Sequence, residues 1–217
     1  MITTPAILII FGGLSGLLGH LMAPRVAGFS PQPTVWLDRR LITATTSVAG
    51  AAAMCLASNW PELISFTLLG IGCGLLILID VATFRLPDVI VGPLYLIMIG
   101  GLLLEAALGD EWRRMITSLI IGSAVILCYF VLGLVTRRLG SGDVKLAGVL
   151  GLFLGWLGWP QTALGILAGF AVGAVVALLL LAGRRASVGS EFPFGPCMII
   201  GAALGVLLGP TVFPALG

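Results

Sequence analysis

Long apolar stretches separated by short polar connections dominate the pattern of this 217-residue chain. A helix that spans a bilayer needs about 20 mostly apolar residues, and it tolerates internal glycine and proline. Eight stretches fit this description, and the second and sixth are the shortest. They cover roughly residues 5–22, 42–58, 62–84, 89–108, 113–136, 144–159, 162–183 and 196–213. The pattern therefore predicts an all-α, polytopic transmembrane helix bundle of about eight spans.

Composition supports lipid as the main solvent of this chain. Hydrophobic residues make up 59% of it and charged residues only 9%, whereas soluble domains carry about 25% charged residues. The net charge of +2 is too small to indicate a nucleic-acid partner. Because the longest connection, residues 23–41, is too short for a soluble domain, residues 1–217 are predicted to form a single integral membrane domain.

The basic residues predict the orientation of the bundle. Nine of the eleven lie in alternate connections: Arg25, Arg39, Arg40, Arg85, Arg137, Arg138, Lys145, Arg184 and Arg185. The other side carries only Arg113 and Arg114. Since lysine and arginine accumulate in cytoplasmic loops, the connections after helices 1, 3, 5 and 7 are predicted to be cytoplasmic, with both termini outside.

Two types of residue outside the charged set bear on chemistry or packing. The four cysteines are isolated in apolar stretches and form no CxxC pair, so they indicate neither a metal site nor a redox motif. Glycines at four-residue spacing, such as Gly165, Gly169 and Gly173, place small residues on one helical face. Such a face predicts close packing against a neighbouring helix rather than ligand binding.

Carboxylates near the predicted cytoplasmic boundary are the first functional candidates, because ionisable groups inside a membrane are costly. Asp80 follows an apolar run near the end of the third helix, so its side chain should face the bundle interior or a water-filled cavity. Asp88 follows Pro87 and suits the first turn of the fourth helix. There a carboxylate interacts favourably with the helix dipole, and this structural role competes evenly with a functional one.

A second candidate region is Gly140-Ser141-Gly142-Asp143, before the sixth helix. The two glycines allow a tight backbone that another chain could approach closely. Asp143 could be a functional carboxylate or the N-cap of the following helix. Lys145 could anchor the cytoplasmic side or contact a substrate.

Asp80 and Asp143 lie in different cytoplasmic regions but at similar predicted membrane depth. Two adjacent carboxylates cannot both ionise easily, so one keeps its proton. The ionised group can deprotonate a water, while the protonated group polarises a peptide carbonyl and protonates the leaving amine. Such a pair can hydrolyse a peptide without a metal, another cofactor or a covalent intermediate.

Three blocks of sequence resemble the type IV prepilin peptidases, which are GxGD aspartyl proteases of bacterial membranes. They are residues 79–88 (IDVATFRLPD), residues 140–146 (GSGDVKL) and residues 192–196 (FPFGP). Their order and spacing agree with the family. Residues 12–24 are weakly similar to its opening helix, so the resemblance covers nearly the whole chain.

The resemblance implies that Asp80 and Asp143 are the catalytic pair and that the site needs no metal or cofactor. It implies cleavage of the leader peptides of prepilins or pseudopilins at the cytoplasmic face of the inner membrane. The hydrophobic pilin stem would then lie in the lipid beside the enzyme. Supporting or substrate-binding roles are expected for Asp88, Gly140, Gly142, Lys145, Pro193 and Gly195.

The chain departs from the family pattern in one respect. Many members carry a cytoplasmic domain with paired CxxC cysteines and also methylate the new N-terminal residue. Here the first cytoplasmic connection has about 19 residues and no cysteine, so that insertion is expected to be missing. Methylation by this chain stays open, because the family's methyl-transfer residues have no identifiable counterpart.

Two other functions are compatible with paired membrane carboxylates. One is an intramembrane protease of the signal-peptide-peptidase or presenilin type, which pairs a YD element with GxGD; here Ile79 precedes Asp80. The other is a small transporter or non-hydrolytic membrane subunit, since such carboxylates also serve proton-coupled transport. No internal repeat with matched broken helices supports the transporter.

Overall fold

The computed structural model describes residues 5–30, 34–136, 139–183 and 192–214, and these residues form helices and short connections without strands. Eight α-helices are present in this part of the chain. They are α1 (Pro5–Ala27), α2 (Arg39–Met54), α3 (Trp60–Thr83), α4 (Asp88–Gly109), α5 (Trp112–Thr136), α6 (Ser141–Leu157), α7 (Trp159–Ala182) and α8 (Gly195–Val212), with a short 3-10 helix at Val35–Leu37. The predicted all-helical class and the predicted number of helices are confirmed.

The predicted number of membrane spans is slightly too high. Six of the described helices are long and apolar enough to cross a membrane: α1, α3, α4, α5, α7 and α8. Helix α2 has 16 residues and α6 has 17. At about 1.5 Å per residue they reach only about 24–26 Å, short of a hydrocarbon core of about 30 Å. The chain is thus a multi-pass membrane protein with six helices of spanning length.

The chain divides into two compact units, Met1–Met115 and Ile116–Gly217. In the first unit, α3 packs against α1, α2 and α4 and is the most buried of the spanning helices. A cluster of buried apolar side chains joins its end to α1, the 3-10 helix and the start of α2. The cluster consists of Ala23, Val26, Leu37, Ile42, Ile71, Leu75, Leu78 and Ile79. This cluster holds the last turns of α3 in place. It therefore positions Asp80, which directly follows Ile79.

Helices α5 to α8 make up most of the second unit. Helices α7 and α8 pack backbone against backbone, because Gly201 and Gly205 of α8 face Gly169 and Gly165 of α7. This arrangement confirms the close packing predicted from the glycine spacing. Helices α6 and α7 are joined through Gly158 alone, whose φ of 135° and ψ of 174° are accessible essentially only to glycine.

The predicted orientation stays a prediction. Of the basic residues that support it, Arg137, Arg138, Arg184 and Arg185 lie outside the described residues. The single-domain assignment for residues 1–217 also remains a prediction.

Candidate active site

Asp80 lies in the last turn of α3, and its side chain is only 3% exposed. Its neighbours Leu78 and Ile79 belong to the apolar cluster that seats this end of the helix. The main-chain carbonyl of Asp80 accepts the backbone N–H of Phe84 at 2.8 Å, which closes the helix. The expectation that Asp80 faces the interior of the protein is therefore confirmed for this unit.

The connection after α3, residues 84–87, is short and is stabilised by hydrogen bonds and by one buried side chain. Phe84 caps the helix with left-handed backbone angles, φ 53° and ψ 30°. This conformation costs a non-glycine residue roughly 1–2 kcal/mol. The Thr83 hydroxyl donates to the carbonyl of Ile79 at 2.8 Å and lies 3.3 Å from that of Arg85. Leu86 is buried, so the connection is anchored to the core two residues after the cap.

Asp88 is the first residue of α4, as the sequence predicts, and it is exposed. Pro87 is the N-cap, and its carbonyl accepts the backbone N–H groups of Ile90 at 3.0 Å and Val91 at 3.2 Å. The Asp88 carboxylate therefore lies at the positive end of the helix dipole. Asp80 lies in the last helical turn before this four-residue connection, and Asp88 directly follows the connection.

The start of α6 corrects one alternative for Asp143. The helix begins at Ser141, with Gly140 as its N-cap, so Asp143 is the third helical residue and not the cap. Its Oδ2 accepts the backbone N–H of Gly140 at 3.0 Å, while its own N–H donates to the Gly140 carbonyl at 3.1 Å. Asp143 thus supplies the carboxylate half of a capping box.

Burial raises the pKa of the Asp143 carboxyl above its ordinary value, and the hydrogen bond from Gly140 lowers it in part. Both effects are expected, because burial disfavours the charged form and a donated hydrogen bond favours it. Asp143 lies outside the six helices of spanning length. A carboxyl group with a raised pKa is better suited to hold and release a proton near neutral pH.

The other predicted residues of this block surround Asp143. Gly140 has ordinary backbone angles, φ −69° and ψ 150°. A Cβ at this position would lie 3.2 Å from Asp143 Oδ2. Glycine at 140 therefore leaves room for the carboxylate and is not required by an unusual φ. Gly142 and Lys145 are the second and fifth residues of α6, and both are half-buried.

The FPFGP block forms the start of α8. Gly195 is the first helical residue and is buried, and Phe194 is its N-cap. The carbonyl of Pro193 accepts a long hydrogen bond from the Cys197 thiol at 3.8 Å. The Phe194 ring lies 5.7 Å from that of Phe170 on α7, between ring centroids. Pro193 and Gly195 therefore shape the entry to α8 within the second unit.

The sequence analysis missed a polar cluster at the opposite end of α3. Glu62 is 1% exposed and Glu105 is 3% exposed. Glu62 accepts the backbone N–H of Ser58 at 2.7 Å and pairs with Arg114 at 3.5 Å. The side-chain amide of Asn59 donates to Glu105 at 2.6 Å. The spacing of Asn59 and Glu62, typical of a capping box, was the available signal.

The predicted site residues thus fall into three described groups. Asp80 and Asp88 lie on either side of the connection between α3 and α4 in the first unit. Gly140, Gly142, Asp143 and Lys145 share the first two turns of α6, and Pro193 and Gly195 share the entry to α8, both in the second unit.

Residues 67–209 match the model of the type IV leader peptidase family, and this segment contains all of the predicted site residues. The chain belongs to the type IV leader peptidase family. This match confirms the resemblance drawn from the three sequence blocks and supports a leader peptidase over the other two functions considered.

Several relatives in this family are named prepilin leader peptidase/N-methyltransferase. The protein of Stutzerimonas stutzeri is 34% identical over 140 residues, which cover 62% of this chain and 46% of the relative. The Aeromonas hydrophila protein is 32% identical over 180 residues, 79% of this chain and 58% of the relative. The Pseudomonas aeruginosa protein is 33% identical over 176 residues, which cover 78% of this chain and 57% of the relative.

The chain therefore spans about half the length of these relatives. No solved structure matches the chain at a significant level.

Proposed function

We propose that this protein is a prepilin leader peptidase that cleaves type IV prepilins or pseudopilins with an aspartic mechanism. The observation that carries the proposal is the family match over residues 67–209, a segment that includes Asp80, Asp88 and Asp143. The relatives' printed names supply the substrate class.

Asp80 and Asp143 are proposed as the catalytic pair. One carboxylate activates a water molecule that attacks the scissile carbonyl. The other carboxyl is protonated, polarises the carbonyl oxygen and later gives its proton to the leaving amine. The raised pKa of Asp143 supports a role in holding and releasing a proton, and the burial of Asp80 keeps its carboxyl group away from bulk solvent.

The remaining predicted residues are proposed to support this pair or the substrate. Asp88 is suited to contact the basic leader of the substrate, and Lys145 is suited to contact its polar backbone. Gly140 provides the N–H that holds the Asp143 carboxylate. Gly142, Pro193 and Gly195 shape the backbone at the starts of α6 and α8.

The reaction is proposed to take place at the cytoplasmic face of the bacterial inner membrane. The distribution of lysine and arginine supports this side under the eight-span prediction, in which nine of eleven lie in the connections assigned to it. The basic leader would remain in the cytoplasm, and the apolar pilin stem would lie in lipid. Methylation of the product stays open, although the relatives' names include it.

The test is cleavage of a co-expressed prepilin in cells without another leader peptidase. Asp80→Asn and Asp143→Asn should each lower cleavage by about 10²–10⁴-fold, the usual contribution of a general acid or base. Asp38→Asn is the matched control, since Asp38 is an exposed carboxylate that caps α2 through the N–H of Arg40. It should leave cleavage unchanged.

Mass spectrometry of the processed pilin identifies both the cleaved bond and any added methyl group. Full activity in either Asp80→Asn or Asp143→Asn would refute the aspartic pair. Absence of cleavage by the wild-type chain would refute the peptidase assignment itself.

A further inference from the structure

Phe84 combines left-handed backbone angles with an exposed side chain, and the fold requires neither of them. Among the described residues only Phe84 and Asp110 are non-glycine residues with positive φ, at 53° and 57°. Aspartate tolerates the left-handed conformation because its short polar side chain bonds locally, whereas phenylalanine gains nothing there. A bulky residue in this conformation at a helix end indicates a use for its side chain elsewhere.

The fold leaves a large part of Phe84 uncovered. Phe84 is 48% exposed, whereas Leu86 is the buried apolar residue of the same connection. The cap is made by the backbone N–H of Phe84, which donates to the Asp80 carbonyl at 2.8 Å. Glycine would make the same hydrogen bond without steric strain. The exposed part of the aromatic side chain is therefore free for a contact outside the folded chain.

The position of Phe84 indicates what that contact is. The residue lies midway along the sequence between Asp80 and Asp88, at the start of the connection that joins α3 to α4. Arg85 beside it is also exposed, so the outer surface of this connection is apolar and cationic. This exposed surface follows the proposed catalytic residue Asp80 by one helical turn, which suits a contact with an apolar segment of the substrate.

We propose that Phe84 is a specificity-determining residue that contacts the apolar residues of the substrate directly after the scissile bond. This inference rests on the proposed leader-peptidase function. Phe84 caps the helix one turn after Asp80 and keeps its side chain exposed, so that binding of the substrate removes the exposed surface from water or lipid headgroups. The free energy gained by burying this surface therefore increases the affinity for substrate and does not add to the stability of the fold.

The test measures steady-state cleavage of a prepilin peptide by the 217-residue chain in lipid nanodiscs. Phe84→Gly and Phe84→Asn both suit the left-handed conformation, so neither should lower the melting temperature. Each should raise KM about tenfold with little change in kcat, as expected when an aromatic contact made equally in ground and transition states is lost. Phe84→Leu keeps an apolar side chain and should restore most of the affinity.

Asp110→Gly is the matched control, because Asp110 is the other left-handed cap and its N–H bonds to the Ala106 carbonyl in the same way. Its replacement should leave KM unchanged. A fall in melting temperature for both Phe84→Gly and Phe84→Asn would assign the ring to the fold and overturn the proposal.

A double-mutant cycle separates a substrate contact from a lipid anchor. The second partner is a prepilin peptide in which the first apolar residue after the scissile bond is serine. A direct contact predicts that this change costs much less with Phe84→Gly than with the wild-type enzyme. Additive effects would place the ring in lipid and overturn the proposal.

Cleavage by wild type with an unchanged KM for Phe84→Gly refutes only the Phe84 contact, whereas a wild-type chain without activity refutes the peptidase assignment as well.

Discussion

The carboxylate of Asp143 accepts the backbone N–H of Gly140 at 3.0 Å, across the first turn of α6. This bond fixes the side chain of a proposed catalytic group and lowers its pKa, against the opposing effect of burial. The glycine of the GxGD block is thus directly coupled to the aspartate, through its N–H group and through the space that its missing side chain leaves.

Replacing Gly140 with proline should shift the pH dependence of cleavage upward. Proline fits the φ of −69° at this position but has no N–H to donate. Without that donor the pKa of Asp143 rises further, and the limb of the pH–rate profile that reports this group should move to higher pH. Profiles of kcat/KM for the wild type and Gly140→Pro provide the measurement.

Gly140→Ala is the control for this shift, because alanine keeps the N–H. Its Cβ would lie 3.2 Å from Asp143 Oδ2, so activity can fall while the profile stays near its original pH. Identical profiles for Gly140→Pro and wild type would show that the hydrogen bond does not tune the reacting group.

Asp143→Asn should stabilise the protein at neutral pH. Because the folded-state pKa of Asp143 is raised above its ordinary value, the folded state holds this proton more tightly than the unfolded state. Wild-type stability therefore falls as pH rises from the ordinary pKa through the raised one, and then levels off. Asparagine avoids this loss and can still accept the Gly140 N–H.

Melting temperatures in detergent across this pH range provide the comparison. The two proteins should be close at acid pH, and Asp143→Asn should melt higher at pH 7. A constant difference at every pH would contradict the predicted effect of burial. The same data show whether this inactive variant is folded, which the cleavage test requires.

Gly201→Ala should destabilise the second unit by about 1–3 kcal/mol, the usual range for overpacking. A Cβ at Gly201 would collide with the backbone of Gly169, which cannot rotate away as a side chain can. Gly100→Ala on α4 is the matched control, since its Cβ would meet no atom within 4 Å. It should be neutral or stabilising by up to about 1 kcal/mol. Equal effects of the two substitutions in denaturation experiments would argue against backbone packing of α7 on α8.

Asn59→Ala should cost about 1–3 kcal/mol, because it leaves the buried Glu105 carboxylate without the amide donor 2.6 Å away. The side chain of Asn59 makes no capping hydrogen bond, so the loss does not include a helix cap. In a Glu105→Leu background the same substitution should cost much less. Leader cleavage should be unaffected, since the proposed reaction occurs at the other end of α3. An equal cost in both backgrounds would show that the amide–carboxylate bond contributes nothing.

The local pattern of apolar residues was sufficient to predict most of the helices. Apolar stretches predicted eight helices because spanning length and hydropathy are properties of consecutive residues. Only α2 and α6 fell short of spanning length, and they were the shortest stretches from the outset. Asp88 was placed correctly in the first turn of α4, since Pro87 restricts the backbone before it.

Other features depended on partners that are distant in sequence. The burial of Glu62 and Glu105 follows from the packing of α3 and α4, which brings residues more than 40 positions apart to one end of the pair. The four-residue spacing of glycines predicted a close contact, but only the packed pair shows that Gly169 meets Gly201. No local sequence pattern shows which face of a helix packs against a neighbouring helix.

The sequence by itself determined the helical membrane class, the family and the identity of the residues proposed for chemistry. These depend on hydropathy, helix length and short motifs, all of which can be read along the chain. Only the tertiary structure decided that Asp143 bonds back to Gly140 and that Phe84 is a strained cap with an exposed side chain. Burial and backbone strain arise from the packing around a residue, which its neighbours in sequence do not specify.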